Sequence, residues 1–342
     1  MKNLSTLALL GFCVLVALAA TLGPRAPKAN IKPHPLCRAV LEYADVDACD
    51  IYDTGRLSGR PGLIGGDKAQ NLKEALPLQD DIDVLILGEA HDNPHHHRLQ
   101  AQFLNRGAVV LEQLNTDQRT GLETFAAKAA SMAPAQRKAA FKSAVGWEKS
   151  GWAKYPYDPV IDRLAMAELE IRAGDPPKER IRAAARRGAN ALTVAERARL
   201  KLDKPLAPEQ ADAALSEIEA AHCGMMPKEA LANMAFAQRY RDAYLADATL
   251  EASSAHGHAV LLTGNNHART DRGVPWYIRE RAPEKKVVSV MFVEVEQGQN
   301  QPETYVPRDP EGKPAADYLI LTPRAERSDP CLAFKKQAEA AP

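Results

Sequence analysis

Short apolar runs alternate with helix-like segments in the first and last thirds of the chain. Residues 84–87 and 108–111 are two such runs, and residues 94–104 between them carry helical spacing. Asn93 suits a helix N-cap, and Pro94 suits the first helical position, where its missing N–H is not needed. Strand, helix, strand over this length predicts a βαβ unit and hence a parallel sheet. Residues 49–54, 259–262, 287–295 and 318–322 read as further strands, and residues 67–76 as a further helix. Residues 116–255 differ: Ala, Lys, Arg, Glu and Leu dominate and no β-type run appears. Pro134, the 155–159 cluster, residues 174–177, 205–208 and Pro227 cut this region into helices. Residues 178–210 read as exposed polar helices, and residues 226–251 as one long helix.

The pattern predicts an α/β fold: a mostly parallel central sheet flanked by helices, with a helical subdomain at about residues 116–255 inserted between the strands. Residues 49–324 would form this domain, with a tail at 325–342. No repeat of solenoid period is present.

Two strands end alike. Leu87-Gly88-Glu89-Ala90-His91 and Thr263-Gly264-Asn265-Asn266-His267 both close on Gly-x-x-His. In a parallel sheet the carboxyl ends of strands share one edge, where ligands bind. Glu89 and His91 lie at one such end, Glu112 at the next and His267 at another. Two imidazoles and two carboxylates suit zinc or another divalent metal, with a spare Glu as general base. One Glu–His pair alone would serve as an acid–base pair on a bound water. In a hydrolase Glu89 and His91 would be the catalytic residues. Arg269 and Arg272 near the same edge suit an anionic group, or a surface pair with Asp271. Trp147, Trp152, Tyr155 and Tyr157 crowd one segment and suit a flat apolar ligand or helix-on-sheet packing. Gln238 and Asp242 are four apart on one helix face, placed to orient the histidines or to form an exposed stripe. The run His95, His96, His97 reads as exposed.

The chain has 342 residues, 45% of them apolar and 26% charged, as in ordinary globular proteins. Lys plus Arg equals Asp plus Glu at 44 each, so net charge gives no argument for a nucleic-acid partner. Lys2 precedes an apolar run at residues 7–22, and Ala17-Leu18-Ala19 resembles a cleavage site. Residues 1–20 therefore read as a signal peptide or an N-terminal anchor, and 21–48 as a lead-in. The protein would be periplasmic or membrane-associated, touching membrane only through this segment. Without Cys13, four cysteines remain: Cys37, Cys49, Cys223 and Cys331. An oxidising compartment favours disulfides, and three pairings exist. Cys37–Cys49 would be local; either with Cys331 would tie the two ends together. Cys223 alone reads as a small buried hydrophobe.

An ordered set of segments carries a resemblance. They are residues 87–94 with His97 and Gln100, residues 109–113, Trp147 with residues 152–157, residues 222–224, 237–243, 264–269 and 273–275. Together they resemble the ChaN-like haem-binding uptake proteins of the Tiki superfamily. The resemblance implies a parallel α/β core, haem as ligand, a role in iron uptake and a homodimer that shares haem. It implies Tyr157 or Tyr155 as the axial ligand, with His91, His267, Arg269 and Trp152 lining the pocket. The wider superfamily includes hydrolases, which keeps the metal-dependent alternative open. The chain departs from a ChaN lipoprotein in lacking a lipobox and in carrying residues 178–210.

Overall fold

In the computed structural model, the described residues are 51–53 (backbone only), 82–166, 169–329 and 331–332. The expected signal segment, lead-in and helix at 67–76, with Cys37 and Cys49, fall outside them. Seven strands form one sheet: β1 (Ile51–Asp53), β2 (Val84–Glu89), β3 (Ala108–Asn115), β4 (Glu170–Asp175), β5 (Ala259–Gly264), β6 (Val287–Glu294) and β7 (Tyr318–Thr322). Their order is β1-β7-β6-β2-β5-β3-β4. The six strands from β7 to β4 are parallel, and β1 pairs antiparallel with β7 at one edge. The α/β class and the parallel sheet are as the strand–helix alternation predicts.

Nine helices are present among the described residues. They are α1 (Pro94–Phe103), α2 (Arg119–Ala129), α3 (Pro134–Ala144), α4 (Asp158–Met166), α5 (Lys178–Arg187), α6 (Val194–Arg199), α7 (Pro208–Ala221), α8 (Lys228–His256) and α9 (Val274–Arg281). Among the described residues no helix is long and apolar enough to cross a membrane.

The central strands are apolar on both faces, because helices cover both sides of a parallel sheet. Side chains alternate between two cores. Val84, Ile86, Val110 and Leu261 pack with α8 and α9, while Leu85, Leu87, Val109, Leu111 and Leu262 pack with α1, α3 and α4. Helix α8 lays Ala237, Ala243, Ala246 and Ala252 toward the first core. Small residues there let a helix approach a sheet closely. Residues 178–210 are less exposed than their polarity suggests, since Ala184, Leu192, Leu200 and Leu202 join this core.

One strand was not expected. β4 lies inside the region that reads as helical, with the sequence Glu-Ile-Arg-Ala-Gly-Asp. It is an edge strand with one neighbour, β3, so it does not need an apolar run. Gly174 permits it: a Cβ there would stand 2.8 Å from both Leu245 Cδ2 and Val110 Cγ1.

Gly88 sits mid-sheet for a similar reason. An added Cβ would meet Asn265 Oδ1 at 2.5 Å and the Ala268 Cβ at 2.8 Å. Overpacking of this kind costs about 1–3 kcal/mol. Gly88→Ala should therefore lower the urea midpoint without changing the slope, and an unaltered midpoint would show that the turn after β5 yields freely.

Candidate functional site

The carboxyl ends of β2, β3 and β5 bring four predicted residues into one neighbourhood. Glu89 is the last residue of β2, and His91 follows it. Glu112 lies within β3, and His267 follows β5 by three residues. The two Gly-x-x-His turns interlock. Gly88 of the first leaves room for Asn265 and Ala268 of the second. Gly264 of the second leaves room for His91: a Cβ there would lie 3.0 Å from His91 Nε2 and 3.7 Å from Glu112 Oε2. Each glycine is thus small because the other turn occupies the space.

Glu89 is fully buried and heavily bonded. Its Oε1 accepts from His91 Nδ1 at 2.8 Å, from Gln113 Nε2 at 3.0 Å and from the Tyr157 hydroxyl. Burial pushes its pKa up, but the adjacent imidazoles of His91 and His97 prevail and hold it at about 2. Tyr157 is enclosed, receives a second bond from Gln113 at 3.0 Å and stacks on His97 at 3.9 Å. Burial and the adjacent Glu89 raise its pKa well above the phenol range.

The histidine run is not an exposed group. Helix α1 begins as expected, with Asn93 Oδ1 accepting from the His95 amide at 2.8 Å and Pro94 in the first turn. His96 and His97 then point inward and are wholly buried. His96 Nδ1 accepts from the Ala90 amide at 2.8 Å, which leaves Nε2–H to donate to Thr322 Oγ1 at 2.8 Å. Burial lowers its pKa to about 3, so it stays neutral. His97 Nδ1 donates to the Pro156 carbonyl at 2.9 Å. Its Nε2 faces Glu89 Oε2 at 3.3 Å, outside good hydrogen-bond geometry, and neither atom has another partner.

Glu112 anchors the second half. Its Oε2 accepts from Thr263 Oγ1 and the Gly264 amide, both at 2.7 Å. Its Oε1 accepts from Arg241 Nη2 at 2.8 Å and lies 3.4 Å from His267 Nε2. Arg241 also grips Asp175 through Nε at 2.8 Å and Nη2 at 3.1 Å. His267 Nδ1 donates to Asp242 at 2.6 Å, with the Gln238 amide at 3.0 Å. Asp242 and Gln238 thus orient the histidine, as their spacing suggested. Burial opposes charge on His267, but Glu112 and Asp242 raise its pKa to about 9. The same neighbours hold Glu112 well below the usual carboxylate range despite its burial. Burial raises Asp242 and Asp175 in spite of their cationic partners.

His91 is the solvent-facing member, its side chain 32% exposed while that of Glu89 is fully buried. Burial of part of the ring disfavours its charge, yet Glu112 and Glu89 raise its pKa. Its Nε2 makes no hydrogen bond among the described residues. Trp152 packs edge-on against the ring at 4.9 Å, and Tyr155 lies at 6.4 Å. Both aromatics are half-buried. Lys154 Nζ stands 4.7 Å from the Tyr155 ring centre.

Other expectations fall elsewhere. Arg269 and Arg272 are buried and share Asp271, with Arg269 at 2.9 Å and Arg272 at 2.6 Å; Arg269 also donates to the Arg308 carbonyl at 2.8 Å. The pairing with Asp271 is the one foreseen as the alternative to anion binding. The metal reading of Glu89, His91, Glu112 and His267 finds no support in the geometry. Among the described residues no group of three or more ligating side chains is arranged to hold a metal ion. The carboxylate oxygens of Glu112 are already engaged by Thr263, Gly264 and Arg241, and a guanidinium beside them repels a cation. Three participants went unrecognised from sequence: Asp175, Gln113 and His97. Asp175 was hidden by the unrecognised strand β4. Gln113 alternates with Glu112 on β3 and so faces the Glu89 side.

The raised pKa of His267 makes stability depend on pH. Its unperturbed value is 6.5 and its folded value about 9, so its contribution is complete below 6.5 and disappears as pH climbs through 9. Urea unfolding followed from pH 6 to pH 10 should show that decline. Asp242→Asn should flatten it, and an equal slope in the variant would refute the assignment.

The fold resembles that of a solved structure. The chain aligns over 80% of its length with 97% of a Campylobacter jejuni protein described as cofacial haem binding to ChaN, at 18% identity and a TM-score of 0.56. A mutant of erythromycin esterase EreC in its open conformation aligns with 76% of the chain and 81% of its own, at 14% identity and a TM-score of 0.33. No curated protein matches. The family model described as haem-binding uptake, Tiki superfamily, ChaN matches residues 79–278. That span holds both interlocked turns and every side chain bonded to Glu89 or Glu112, and the chain belongs to this haem-binding family.

Proposed function

We propose that this is an exported haem-binding protein that handles haem in iron uptake, with the haem seated against His91, Trp152 and Tyr155. The single observation that carries this reading is the partly exposed imidazole of His91 clustered with two half-buried aromatic rings. A flat, apolar, ring-shaped ligand suits such a surface. Family membership supplies the ligand's identity.

The residues fit haem unequally. Of the two tyrosines, Tyr155 is the one with access to solvent, with Lys154 Nζ over its ring. We assign it the axial position. Tyr157 is enclosed and its hydroxyl is committed to Glu89 and Gln113; its part is to brace Glu89 from behind. His91 lines the pocket, its ring fixed by Glu89. His267 and Arg269 support the same edge from within. Bound haem would supply an iron centre whose chemistry is set by its axial ligand.

Export rests on the apolar run at residues 7–22 and on the disulfide Cys223–Cys331, which suits an oxidising compartment. The cofacial haems described for the Campylobacter protein suggest that two copies of this chain share haem face to face.

Titration with haemin should give a saturable Soret shift. Tyr155→Phe should weaken binding by about tenfold or more, a loss of about 1.4 kcal/mol, and alter the spectrum; Tyr157→Phe should leave the spectrum in place. Sedimentation with and without haemin should report the dimer. No saturable shift in the unaltered protein would sink the proposal.

A further inference from the structure

Charge balances over the whole chain but not along it. Residues 178–204 hold nine Lys and Arg against three Asp and Glu, in a chain of net charge zero. The apolar residues of this segment go to the core beneath it: Ala183, Ala184, Leu192, Leu200 and Leu202 are buried. Its outer side is left with cations. On α5, Lys178, Arg182 and Arg186 recur four residues apart and are all exposed, so they form one row on the face away from Ala183 and Ala184. A 3₁₀ turn at Gly188–Ala191 then leads to α6. Arg180 pairs with Glu196 across the two helices, and Arg197 donates to the carbonyls of Ala189 at 3.0 Å and Leu192 at 2.8 Å. These bonds hold α6 to the end of α5.

Five of the nine cations have no counter-charge among the described residues. Arg180, Arg186, Arg199 and Lys204 pair with Glu196, Glu179, Asp247 and Glu280 respectively. Lys178, Arg182, Arg187, Arg197 and Lys201 form no ion pair among the described residues. One apolar side chain stands among them. Val194, the first residue of α6, is 74% exposed, more than any other large apolar residue described. A single exposed valine needs no explanation. Uncompensated cations on both sides of it in the chain change its meaning, because basic residues with an exposed aliphatic group suit a lipid headgroup layer. A polyanion such as nucleic acid would account for the cations and leave Val194 without a use. The element also begins at the sheet edge that carries the site: Lys178 lies three residues past Asp175, which Arg241 holds beside Glu112.

We propose that α5 and α6 dock on the surface of an anionic phospholipid bilayer. The row of Lys178, Arg182 and Arg186 meets headgroup phosphates, the unpaired cations around it add to the attraction, and Val194 enters the interface. Each basic residue close to such a surface strengthens attachment by about fivefold. The attraction is screened by salt, which shortens the Debye length. Membrane contact of this kind is separate from the apolar run at residues 7–22, and it rests on no reading of the ligand.

The test uses the full-length folded protein and vesicles of two compositions: phosphatidylcholine alone, and phosphatidylcholine with an equal part of phosphatidylglycerol. The apolar run at residues 7–22 acts on both, so the difference between them isolates the basic surface. Lipid titrations read by cosedimentation at low salt should show binding to the mixed vesicles about a hundredfold tighter or more. Raising the salt to about 0.5 M should remove most of that preference. Lys178→Gln, Arg182→Gln and Arg187→Gln together remove charges that no ion pair uses. The triple variant should keep the urea midpoint of the parent and lose most of its preference for the mixed vesicles. Val194→Trp should add emission that moves to the blue on the mixed vesicles and stays in place on double-stranded DNA. Equal binding to the two vesicle types overturns the proposal, as does a folded triple variant that keeps the parent's preference. Where the triple variant fails to fold, the vesicle comparison and its salt dependence still decide. Tight binding to DNA with emission from position 194 unmoved by vesicles overturns the bilayer in favour of a polyanion.

Discussion

Glu112 is a carboxylate without water, and much of the site follows from that. A buried charge is tolerated only when its lone pairs are taken by donors and its charge is balanced. Thr263 and the Gly264 amide take one oxygen, while Arg241 and His267 face the other. Each of those cations then needs its own partner. Arg241 finds Asp175 at the end of β4, and His267 finds Asp242 one turn of α8 away from Gln238. One carboxylate thus fixes the register of three strands and the rotation of a 29-residue helix. Breaking a member would leave its neighbours charged and unpaired, which costs more than the pair itself contributes.

Glu89 repeats the problem one strand away and solves it differently. No arginine approaches it. Its donors are a phenol, an amide and one imidazole, with a second imidazole 3.3 Å away. This half is therefore held without a permanent cation, while the Glu112 half is locked by one. The two halves meet where His91 passes Gly264. The repeated Gly-x-x-His is the sequence trace of that meeting: each turn needs a glycine because the other turn's side chain fills the space where a Cβ would be.

Much of this was legible. Apolar runs marked six of the seven strands, since central parallel strands must be apolar on both faces. Strand ends marked Glu89, His91, Glu112 and His267, and helical spacing marked Gln238 and Asp242. What was not legible depends on distant contacts. β4 reads as helix-like because an edge strand with one neighbour can carry Glu170, Arg172 and Gly174. His96 and His97 look solvated because the groups that satisfy them, Thr322 and the Pro156 carbonyl, are far off in sequence. Cys223 looked like a small hydrophobe, yet it pairs with Cys331 over 108 residues. Neither Cys37 nor Cys49 is therefore the partner of Cys331.

The network's closure also decides what a ligand can touch. Glu89, Glu112, His97 and His267 are sealed from solvent, so they cannot be contacted without dismantling the core. His91 alone joins both halves and reaches solvent. Its Nδ1 is held by Glu89, and the other edge of its ring faces Gly264 and Glu112. A ligand that changes the charge near His91 must therefore be felt by both carboxylates, because the groups between them are rigid and poorly screened. The buried polar network is in that sense a fixed electrostatic floor, and the aromatic residues beside His91 are the part of the site that meets the ligand.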